Sequence, residues 1–351
     1  MIRVAIVGAG IGSQHLDGYR ALPERFAVKT FCDLDTGRAQ SVVGEDDSVT
    51  VTEYLDGVLA DPDIDLVDVC LPPHLHFPVS KAALKAGKHV VCEKPLVRSL
   101  AEADALIAVT QETGRQVFPV FQYRYGHGTA QIRALIEAGL AGKAFAASLE
   151  THWNRGPDYY TVPWRGTWAG ESGGAVLGHA IHNHDLLCSV FGPIAELSAS
   201  TATLVNAIEV EDCGAILMVH ESGALSTSSI TLGSATEISR LRFNFEGFTA
   251  ESGTAPYAPA TEAWTFTARA PYEQAAIDAV LASIDTPLAG YAGFFDAIAD
   301  ALEGRGGREV TLEDGRRSIE LVTAVYHAAR TGQRVSLPLS QAAPLYESWL
   351  P

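Results

Sequence analysis

The stretch that decides the fold is Ile2-Arg3-Val4-Ala5-Ile6-Val7-Gly8-Ala9-Gly10-Ile11-Gly12-Ser13. Its first half is a short apolar run that predicts a buried strand, and its glycines predict a tight turn into a helix. Such a turn lets the main chain approach a pyrophosphate, which then lies at the N-terminus of the helix. We therefore expect four residues of the turn to bind a dinucleotide: Gly8, Gly10, Ile11 and Gly12. A turn with a purely structural role is the alternative, because Ser13 occupies the third glycine position of the G-x-G-x-x-G pattern.

An acidic residue at the end of the second predicted strand supports the dinucleotide interpretation. Asp33 directly follows Val28–Cys32, at the distance from the glycine turn that such sites require. A carboxylate at this point accepts hydrogen bonds from both ribose hydroxyls and repels a 2′-phosphate. We therefore expect NAD as the cofactor and consider NADP less suited, although Asp35 and Arg38 lie close enough in sequence to affect this choice.

The chain as far as Phe121 alternates strands with helices. Short apolar runs rich in valine, typical of strands buried on both faces, occur at Arg3–Val7, Val28–Cys32, Leu66–Cys70, His89–Cys92 and Gln116–Val120. Helical patterns lie between them, near Ser13–Leu22, Thr36–Val43, Val79–Ala86 and Ala101–Thr113. This order predicts a doubly wound parallel sheet, a Rossmann domain, over residues 1–121.

The pattern changes in the remainder of the chain. Five segments alternate apolar and polar residues, as strands with one buried face do: Phe145–His152, Leu197–Leu204, Ala215–His220, Ala224–Leu232 and Leu241–Glu246. Helices are predicted near His179–Phe191, Gly290–Leu302 and Leu312–Thr331. Residues 122–351 should therefore form a second, C-terminal domain built on an open, mostly antiparallel sheet. One face of that sheet needs a cover, which favours self-association.

The tetrapeptide Cys92-Glu93-Lys94-Pro95 places a lysine where the fourth predicted strand ends. The carboxyl ends of strands in an open parallel sheet are where ligands bind. A lysine there can donate hydrogen bonds or carry a proton. Glu93 and Lys94 are therefore predicted to contact the cofactor, and Lys94 to take part in catalysis. A salt-bridged lysine at an ordinary strand end is the alternative.

A proline-rich loop, Leu71-Pro72-Pro73-His74-Leu75-His76, follows the third predicted strand. Prolines restrict the loop, which should lie over the cofactor edge of the sheet. We expect Pro72 and His76 to line the cofactor site. For His76, a loop histidine that bonds to the main chain is an equally good interpretation.

A glycine-rich entry leads into a helix that carries His179, His182 and Asp185. Residues three apart share a helix face, so this helix should present imidazoles to the substrate. The His-x-x-His spacing also suits zinc, but no cysteine or carboxylate completes an obvious metal site. We predict no metal, and a structural role for one of the histidines remains an alternative.

Aromatic residues and arginines alternate between His152 and Trp168. Rings can cover the C–H faces of a sugar while polar groups bind its hydroxyls. An acidic or phosphorylated sugar would suit the arginines as well. The candidate substrate contacts here are Arg155, Tyr160, Trp164 and Arg165. Aromatic packing in a core loop is the alternative.

Composition excludes several classes of function. The chain has 351 residues, 47% of them hydrophobic and 19% charged, which suits two globular domains. A net charge of -17 disfavours nucleic acids and anionic membranes as partners. No basic region precedes a long apolar run, so neither a signal peptide nor a membrane span is expected. The 5 cysteines are scattered and lack C-x-x-C spacing, which fits a reducing cytoplasm.

Taken together, these motifs resemble the Gfo/Idh/MocA oxidoreductases, the family of glucose–fructose oxidoreductase and inositol dehydrogenase. The resemblance covers nearly the whole chain and includes the glycine turn, the Glu93-Lys94-Pro95 segment, Tyr123-Arg124-Tyr125 and the glycine–histidine helix. It implies NAD-linked hydride transfer at a secondary alcohol of a sugar, sugar derivative or cyclitol, in a homodimer or homotetramer.

The resemblance also implies roles for individual residues. Lys94 and His182 would be catalytic, with His179 and Arg124 among the substrate contacts of a pocket between the two domains. The family commonly has an aspartate where this chain has Gly178. That departure keeps two alternatives open: a non-catalytic protein that binds NAD or a sugar, and a glycosidase that uses NAD for transient oxidation.

Overall fold

A computed structural model describes residues 1–351 and divides them into two compact units. The first unit comprises Met1–Val120 and Tyr291–Ile319, and the second comprises Phe121–Gly290 and Glu320–Pro351. The first division lies within one residue of the predicted domain boundary. The prediction that all of 122–351 forms the second domain needs correction, because Tyr291–Ile319 belongs to the first unit.

The first 120 residues form strands and helices in strict alternation. In chain order they are β1 (Ile2–Val7), α1 (Gly12–Arg20), β2 (Phe26–Cys32), α2 (Thr36–Val43), β3 (Thr50–Thr52), α3 (Leu55–Ala60), β4 (Leu66–Val69), α4 (Pro73–Lys85), β5 (His89–Cys92), α5 (Leu100–Thr113) and β6 (Val117–Pro119). Every predicted strand and helix of this part is present, while the short β3 and α3 were not predicted.

The strands form one parallel sheet in the order β3-β2-β1-β4-β5-β6. This confirms the predicted Rossmann topology. The strand order reverses between β1 and β4, and the crevice beyond the carboxyl ends at such a reversal is where ligands bind. Val4, Val67 and Val90 are each 0% exposed, as expected for strands with helices on both faces.

The rest of the chain supplies the remaining elements. They are α6 (His127–Glu137), β7 (Ala144–Asn154), α7 (Trp168–Glu171), α8 (Ile181–Phe191), β8 (Ile194–Ala202), β9 (Cys213–His220), β10 (Leu225–Thr231), β11 (Gly233–Phe245), β12 (Phe248–Glu251), β13 (Thr265–Ala268), α9 (Gln274–Leu281), α10 (Gly290–Leu302), α11 (Leu312–Thr331) and β14 (Val335–Ser336). None of the helices combines the length and the apolar character that crossing a lipid bilayer requires.

The second unit is built on an eight-stranded sheet in the order β13-β12-β11-β7-β10-β9-β8-β14. All neighbouring strands are antiparallel except β7 and β10, which are parallel. The predicted, mostly antiparallel sheet is therefore confirmed. Helices α7 and α8 lie between β7 and β8, and α8 corresponds to the helix predicted near His179–Phe191.

Helix α8 covers one face of this sheet and is hydrogen-bonded to it. Asn183 donates to Thr151 Oγ1 at 2.8 Å, and His184 Nε2 lies 2.9 Å from Ser228 Oγ. The opposite face carries apolar side chains beside polar and charged ones and is open to solvent. Leu217 and Leu225, on neighbouring strands, are 41% and 49% exposed.

Aromatic packing explains why α10 belongs to the first unit. The ring of Phe295 stacks on Tyr19 of α1, with centroids 3.8 Å apart. Nearby, Arg25 pairs with Asp296 and Asp300 at 2.5 and 2.8 Å. The sequence pattern of α10 gave its helical bounds but not this partner, since a buried aromatic stripe does not identify the surface that it packs against.

Candidate cofactor and substrate sites

The glycine turn after β1 has the geometry of a dinucleotide cradle. Gly8 has φ of 111°, and a Cβ there would lie 2.3 Å from the carbonyl oxygen of Cys70. A Cβ on Gly12 would lie 3.0 Å from Ile6 Cγ2, so this glycine lets α1 pack closely on β1. The first amides of α1, beginning at Ile11 and Gly12, lack partners within the helix, as at any helix N-terminus. Gly10 is the least crowded glycine of the turn, since a Cβ there would lie 3.5 Å from Arg38 Nη2. The turn therefore fits a pyrophosphate.

Asp33 lies at the end of β2 and faces the glycine turn. Its Oδ2 accepts the main-chain N–H of Ala9 at 2.6 Å, and its Oδ1 accepts that of Asp35 at 2.8 Å. Asp35 in turn caps α2 by accepting the N–H of Arg38 at 2.9 Å. The half-buried Asp33 carboxylate thus orders the turn and remains placed to bind ribose hydroxyls.

Glu93 follows β5 directly and is buried, whereas the next residue, Lys94, is half-buried. Glu93 turns inward: its Oε2 accepts the main-chain N–H of Lys94 at 2.9 Å, and its Oε1 lies 3.1 Å from His15 Nε2. Glu93 was predicted to contact the cofactor, and no sequence pattern indicated His15. The structure gives Glu93 partners inside the protein.

His76 lies in the first turn of α4, which begins after Pro72. It is 1% exposed, and its two ring nitrogens lie 2.6 Å from the Pro95 carbonyl oxygen and 2.7 Å from that of Leu71. Burial lowers the pKa of His76. These contacts agree with the alternative interpretation of a histidine bonded to the main chain, although His76 lies in a helix and not in the predicted loop. Their effect is to tie the loop after β4 to the turn that carries Lys94.

The glycine–histidine segment of the second unit is irregular at its start. Val176–Ala180 form a π-helical turn, an arrangement frequent at functional sites, before α8 begins at Ile181. His182 in the first turn of α8 is 5% exposed and stacks on Tyr123, with ring centroids 4.4 Å apart. Phe121 packs edge-on against the same imidazole at 5.9 Å. The ring plane of His182 is thus fixed by aromatic contacts.

Arg124, predicted as a substrate contact, binds Asp185 one helical turn after His182. The guanidinium Nε and Nη2 donate to the two carboxylate oxygens at 2.7 and 2.6 Å. Both side chains are buried. This pairing assigns Arg124 a structural role that the sequence did not indicate, and it fixes α8 beside the turn Gln122–Arg124.

His179 lies in a cluster of rings and arginines. Its ring contacts those of Trp153 and Tyr159, with centroids 5.2 and 6.0 Å away. The guanidinium of Arg155 lies over Tyr159 at 5.1 Å, and that of Arg165 lies over the same ring at 3.9 Å. Three predicted substrate contacts therefore meet around Tyr159.

The remaining predicted contacts lie at the edge of this cluster. Tyr160 packs edge-on against Tyr159 at 5.0 Å, and burial raises the pKa of its hydroxyl. Trp164, 39% exposed, lies under the Arg165 guanidinium at 4.9 Å. Arg155 is paired with Glu237, and its Nη2 donates to the Tyr257 hydroxyl oxygen at 2.5 Å. No sequence signal identified these two partners.

Glu211 is a buried acid that no sequence pattern predicted. Its carboxylate accepts the main-chain N–H of Gly174 at 3.1 Å and that of Val176 at 3.0 Å, and the Tyr326 hydroxyl at 3.0 Å. A Cβ on Gly174 would lie 1.8 Å from the Glu211 carbonyl oxygen. Burial raises the pKa of Glu211 to about 7, against the opposing effect of these N–H groups. Glu211 therefore holds the main chain at the start of the π-helical turn by hydrogen bonds.

Comparison with known families gives matches to both parts of the chain. A family model described as "Oxidoreductase family, NAD-binding Rossmann fold" matches residues 2–121. A second, described as "GFO/IDH/MocA C-terminal domain", matches residues 129–250. The uncharacterized oxidoreductase C115.03 of Schizosaccharomyces pombe is 30% identical over 258 residues, which cover 70% of this chain and 68% of that protein.

Other similar proteins extend this comparison. The uncharacterized oxidoreductase YrbE of Bacillus subtilis is 28% identical over 231 residues; the match covers 64% of this chain and 65% of that protein's length, just under two thirds. Among solved structures, the WlbA dehydrogenase from Bordetella pertussis in complex with NADH and UDP-GlcNAcA superposes with a TM-score of 0.82 at 27% identity. That superposition covers 97% of this chain and 99% of the other.

Proposed function

The chain belongs to the GFO/IDH/MocA family of oxidoreductases, and we propose that it is an NAD-dependent dehydrogenase. It would transfer a hydride between nicotinamide and a secondary alcohol of a sugar, a sugar derivative or a cyclitol. The observation that carries this proposal is the lysine turn. Lys94 is the second residue after β5, in the sheet whose β1–α1 turn fits a dinucleotide.

Holding the cofactor is the task of the first unit. The turn Gly8–Gly12 would bind the pyrophosphate through main-chain amides, and Asp33 would accept the ribose hydroxyls. NAD, when bound, supplies the hydride acceptor, since this redox chemistry belongs to the cofactor. The protein would position the cofactor and the substrate and accept the proton of the substrate hydroxyl.

Proton handling is the proposed role of Lys94 and His182. The substrate hydroxyl must lose its proton as the carbon loses hydride, and a positioned lysine or histidine can accept it. His182 suits this role because Tyr123 and Phe121 fix the plane of its ring. The chain has Gly178 where the family commonly has an aspartate, so another group must set the tautomer of this imidazole.

The substrate class is supported by the cluster around Tyr159. Aromatic rings and guanidinium groups together suit a polyhydroxylated ligand. Arg155 is paired with Glu237, whereas the cation–π contacts of Arg165 are with the rings of Tyr159 and Trp164. We therefore include in the proposed class sugars that carry a carboxylate or phosphate, for which Arg165 is the candidate contact.

A spectroscopic assay tests this proposal against its alternatives. Purified protein is incubated with NAD and a panel of neutral sugars, uronic acids, sugar nucleotides and inositols, and NADH absorbance is followed. Turnover with any member supports the dehydrogenase. Ligand binding in calorimetry without turnover would favour a non-catalytic binding protein, an alternative that Gly178 keeps open. Cleavage of a glycoside without net NADH would favour an NAD-assisted glycosidase.

A further inference from the structure

Three separate sequence motifs meet in a buried cluster of the first unit. His15 comes from the first turns of α1, Asp68 from the middle of β4, and Glu93 from the residue after β5. His15 Nδ1 lies 2.8 Å from Asp68 Oδ2, and its Nε2 lies 3.1 Å from Glu93 Oε1. The side chains of His15 and Asp68 are 0% exposed and that of Glu93 is 7% exposed.

This arrangement favours a charged imidazole. Each ring nitrogen faces a carboxylate oxygen, and only the imidazolium can donate from both nitrogens. Burial, the largest single effect, lowers the pKa of His15, but the charges and hydrogen bonds of Asp68 and Cys70 together outweigh it and hold that pKa well above its ordinary value. The other polar groups that face the ring are Cys70, with its Sγ 3.4 Å from Nδ1, and Tyr291 of α10, with ring centroids 4.5 Å apart.

The cluster is continuous with the turn that carries Lys94. Glu93 uses one oxygen for His15 and the other for the main-chain N–H of Lys94, at 2.9 Å. On the other side of the turn, His76 lies 2.6 Å from the carbonyl oxygen of Pro95. The main chain on both sides of Lys94 is thus bonded to buried side chains.

We propose that His15 is a positioning residue for Lys94: held by Asp68, it fixes Glu93 and so links the dinucleotide turn of α1 to the main chain of the lysine turn. His15 lies on the same helix whose N-terminus carries Gly12, so an ordered turn at the cofactor orders the turn at Lys94 as well. The inference rests on the proposed function only for the role of Lys94 in catalysis. The physical link is independent of it.

A metal ion is the competing occupant of this cluster. His15, Asp68 and Cys70 have ligand atoms within 4.8 Å of one another, a spacing that a metal could use. However, the His15 ring already has both nitrogens directed at carboxylates, and burial raises the pKa of the Cys70 thiol, which disfavours the thiolate that metals bind. Metal analysis of the purified protein decides between the two.

The test measures main-chain exchange at the lysine turn. Hydrogen–deuterium exchange of the peptide Cys92–Val97 is compared for wild type, His15→Gln and Leu16→Ala, each with and without NAD. Leu16 is a buried neighbour on α1, so Leu16→Ala controls for general destabilisation. We expect His15→Gln to speed exchange of the Lys94 amide about tenfold, the scale of one lost hydrogen bond, and to abolish its protection by NAD. Leu16→Ala should leave this peptide close to wild type.

Two further measurements test the link between His15 and Lys94 if His15→Gln does not fold. Asp68→Asn retains the shape of the cluster and should speed the same exchange to a smaller extent. In wild-type protein labelled with 15N-histidine, both nitrogens of His15 should give imidazolium signals at pH 8. A neutral His15, a stoichiometric metal, or wild-type exchange of the Lys94 amide in His15→Gln would each overturn the proposal. Absence of dehydrogenase activity would overturn the proposed function and leave these readouts unaffected.

Discussion

Arg124 and Asp185 form a buried ion pair in which two guanidinium nitrogens meet two carboxylate oxygens, at 2.7 and 2.6 Å. The pair joins the turn Gln122–Arg124 to α8, one helical turn beyond His182. Removing one member leaves the other charge buried without this partner, which is more unfavourable than removing both.

The first prediction follows from this pair. Arg124→Met should lower the free energy of unfolding by about 3–5 kcal/mol, because Asp185 loses its main counter-charge inside the protein. The double variant Arg124→Met/Asp185→Asn should recover a substantial part of that loss. Urea denaturation of the two variants and wild type measures both effects. Equal loss in the single and double variants would show that the ion pair is not what stabilises this region.

The pH dependence of stability should carry a contribution from Glu211. Burial raises the pKa of Glu211 to about 7 in the folded protein, above its value in the unfolded chain. Glu211 therefore lowers the free energy of unfolding, and this effect is fully present above pH 7. As the pH falls from 7 towards the ordinary glutamate range, the folded state holds a proton that the unfolded state has released. The free energy of unfolding rises accordingly. The contribution is on the order of 1 kcal/mol per pH unit within that window.

A pair of variants isolates this contribution. Glu211→Gln carries no titrating group, so its unfolding free energy relative to wild type should change between pH 5 and pH 7. Glu209→Gln, at an exposed position nearby, should follow wild type throughout. Chemical denaturation at several pH values gives the unfolding free energy of each variant relative to wild type. The contributions of the other titrating groups cancel in this difference. Parallel pH curves for Glu211→Gln and wild type would contradict the assignment.

Much of the fold could be predicted from the sequence because buried strands and amphipathic helices have distinct periodicities. The bounds of β5, α10 and α11 agree with the prediction to the residue. The three-residue strand β3 has no apolar run to identify it. The return of Tyr291–Ile319 to the first unit depends on the stacking of Phe295 on Tyr19, a tertiary pairing that periodicity does not encode.

The candidate site likewise contains residues that the sequence indicates and residues that it does not. Lys94 and His182 could be proposed from the sequence because each lies in a short motif whose local context is specific. Their supporting residues could not, since the partners lie far apart in the chain: 61 residues separate Arg124 from Asp185, and 78 separate His15 from Glu93. A buried acid such as Glu211 has no local pattern at all, because its role depends on the backbone of Gly174.

Cofactor choice should depend on Asp33. Asp33→Ser removes two candidate ribose hydrogen bonds and a charge that repels a 2′-phosphate, together about 1–3 kcal/mol. NADH should bind more weakly and NADPH relatively better in fluorescence titration. Asp35→Ser, which keeps a capping side chain on α2, is the matched control and should change the preference little. A wild-type preference for NADPH would refute this role of Asp33.

Self-association should use the open face of the eight-stranded sheet. Leu217 and Leu225 are exposed there, on neighbouring strands, and apolar side chains grouped on an open sheet favour a protein partner. We expect light scattering to give a dimer or tetramer, and Leu217→Glu to shift it towards monomer. Leu204→Glu, at an exposed loop position, is the control. Wild-type protein that is monomeric at micromolar concentration would rule out this prediction.

The most direct test of the account is the turnover of Lys94→Met, which removes the amine and keeps much of the side chain's volume. It requires a substrate on which the wild-type protein reduces NAD. We predict that kcat falls by roughly a hundredfold or more, the scale of a lost general acid or base, while the affinity for NADH changes little. Lys85→Met, an exposed lysine on α4, should match wild type. Full turnover by Lys94→Met would contradict the central claim that this lysine handles the substrate proton.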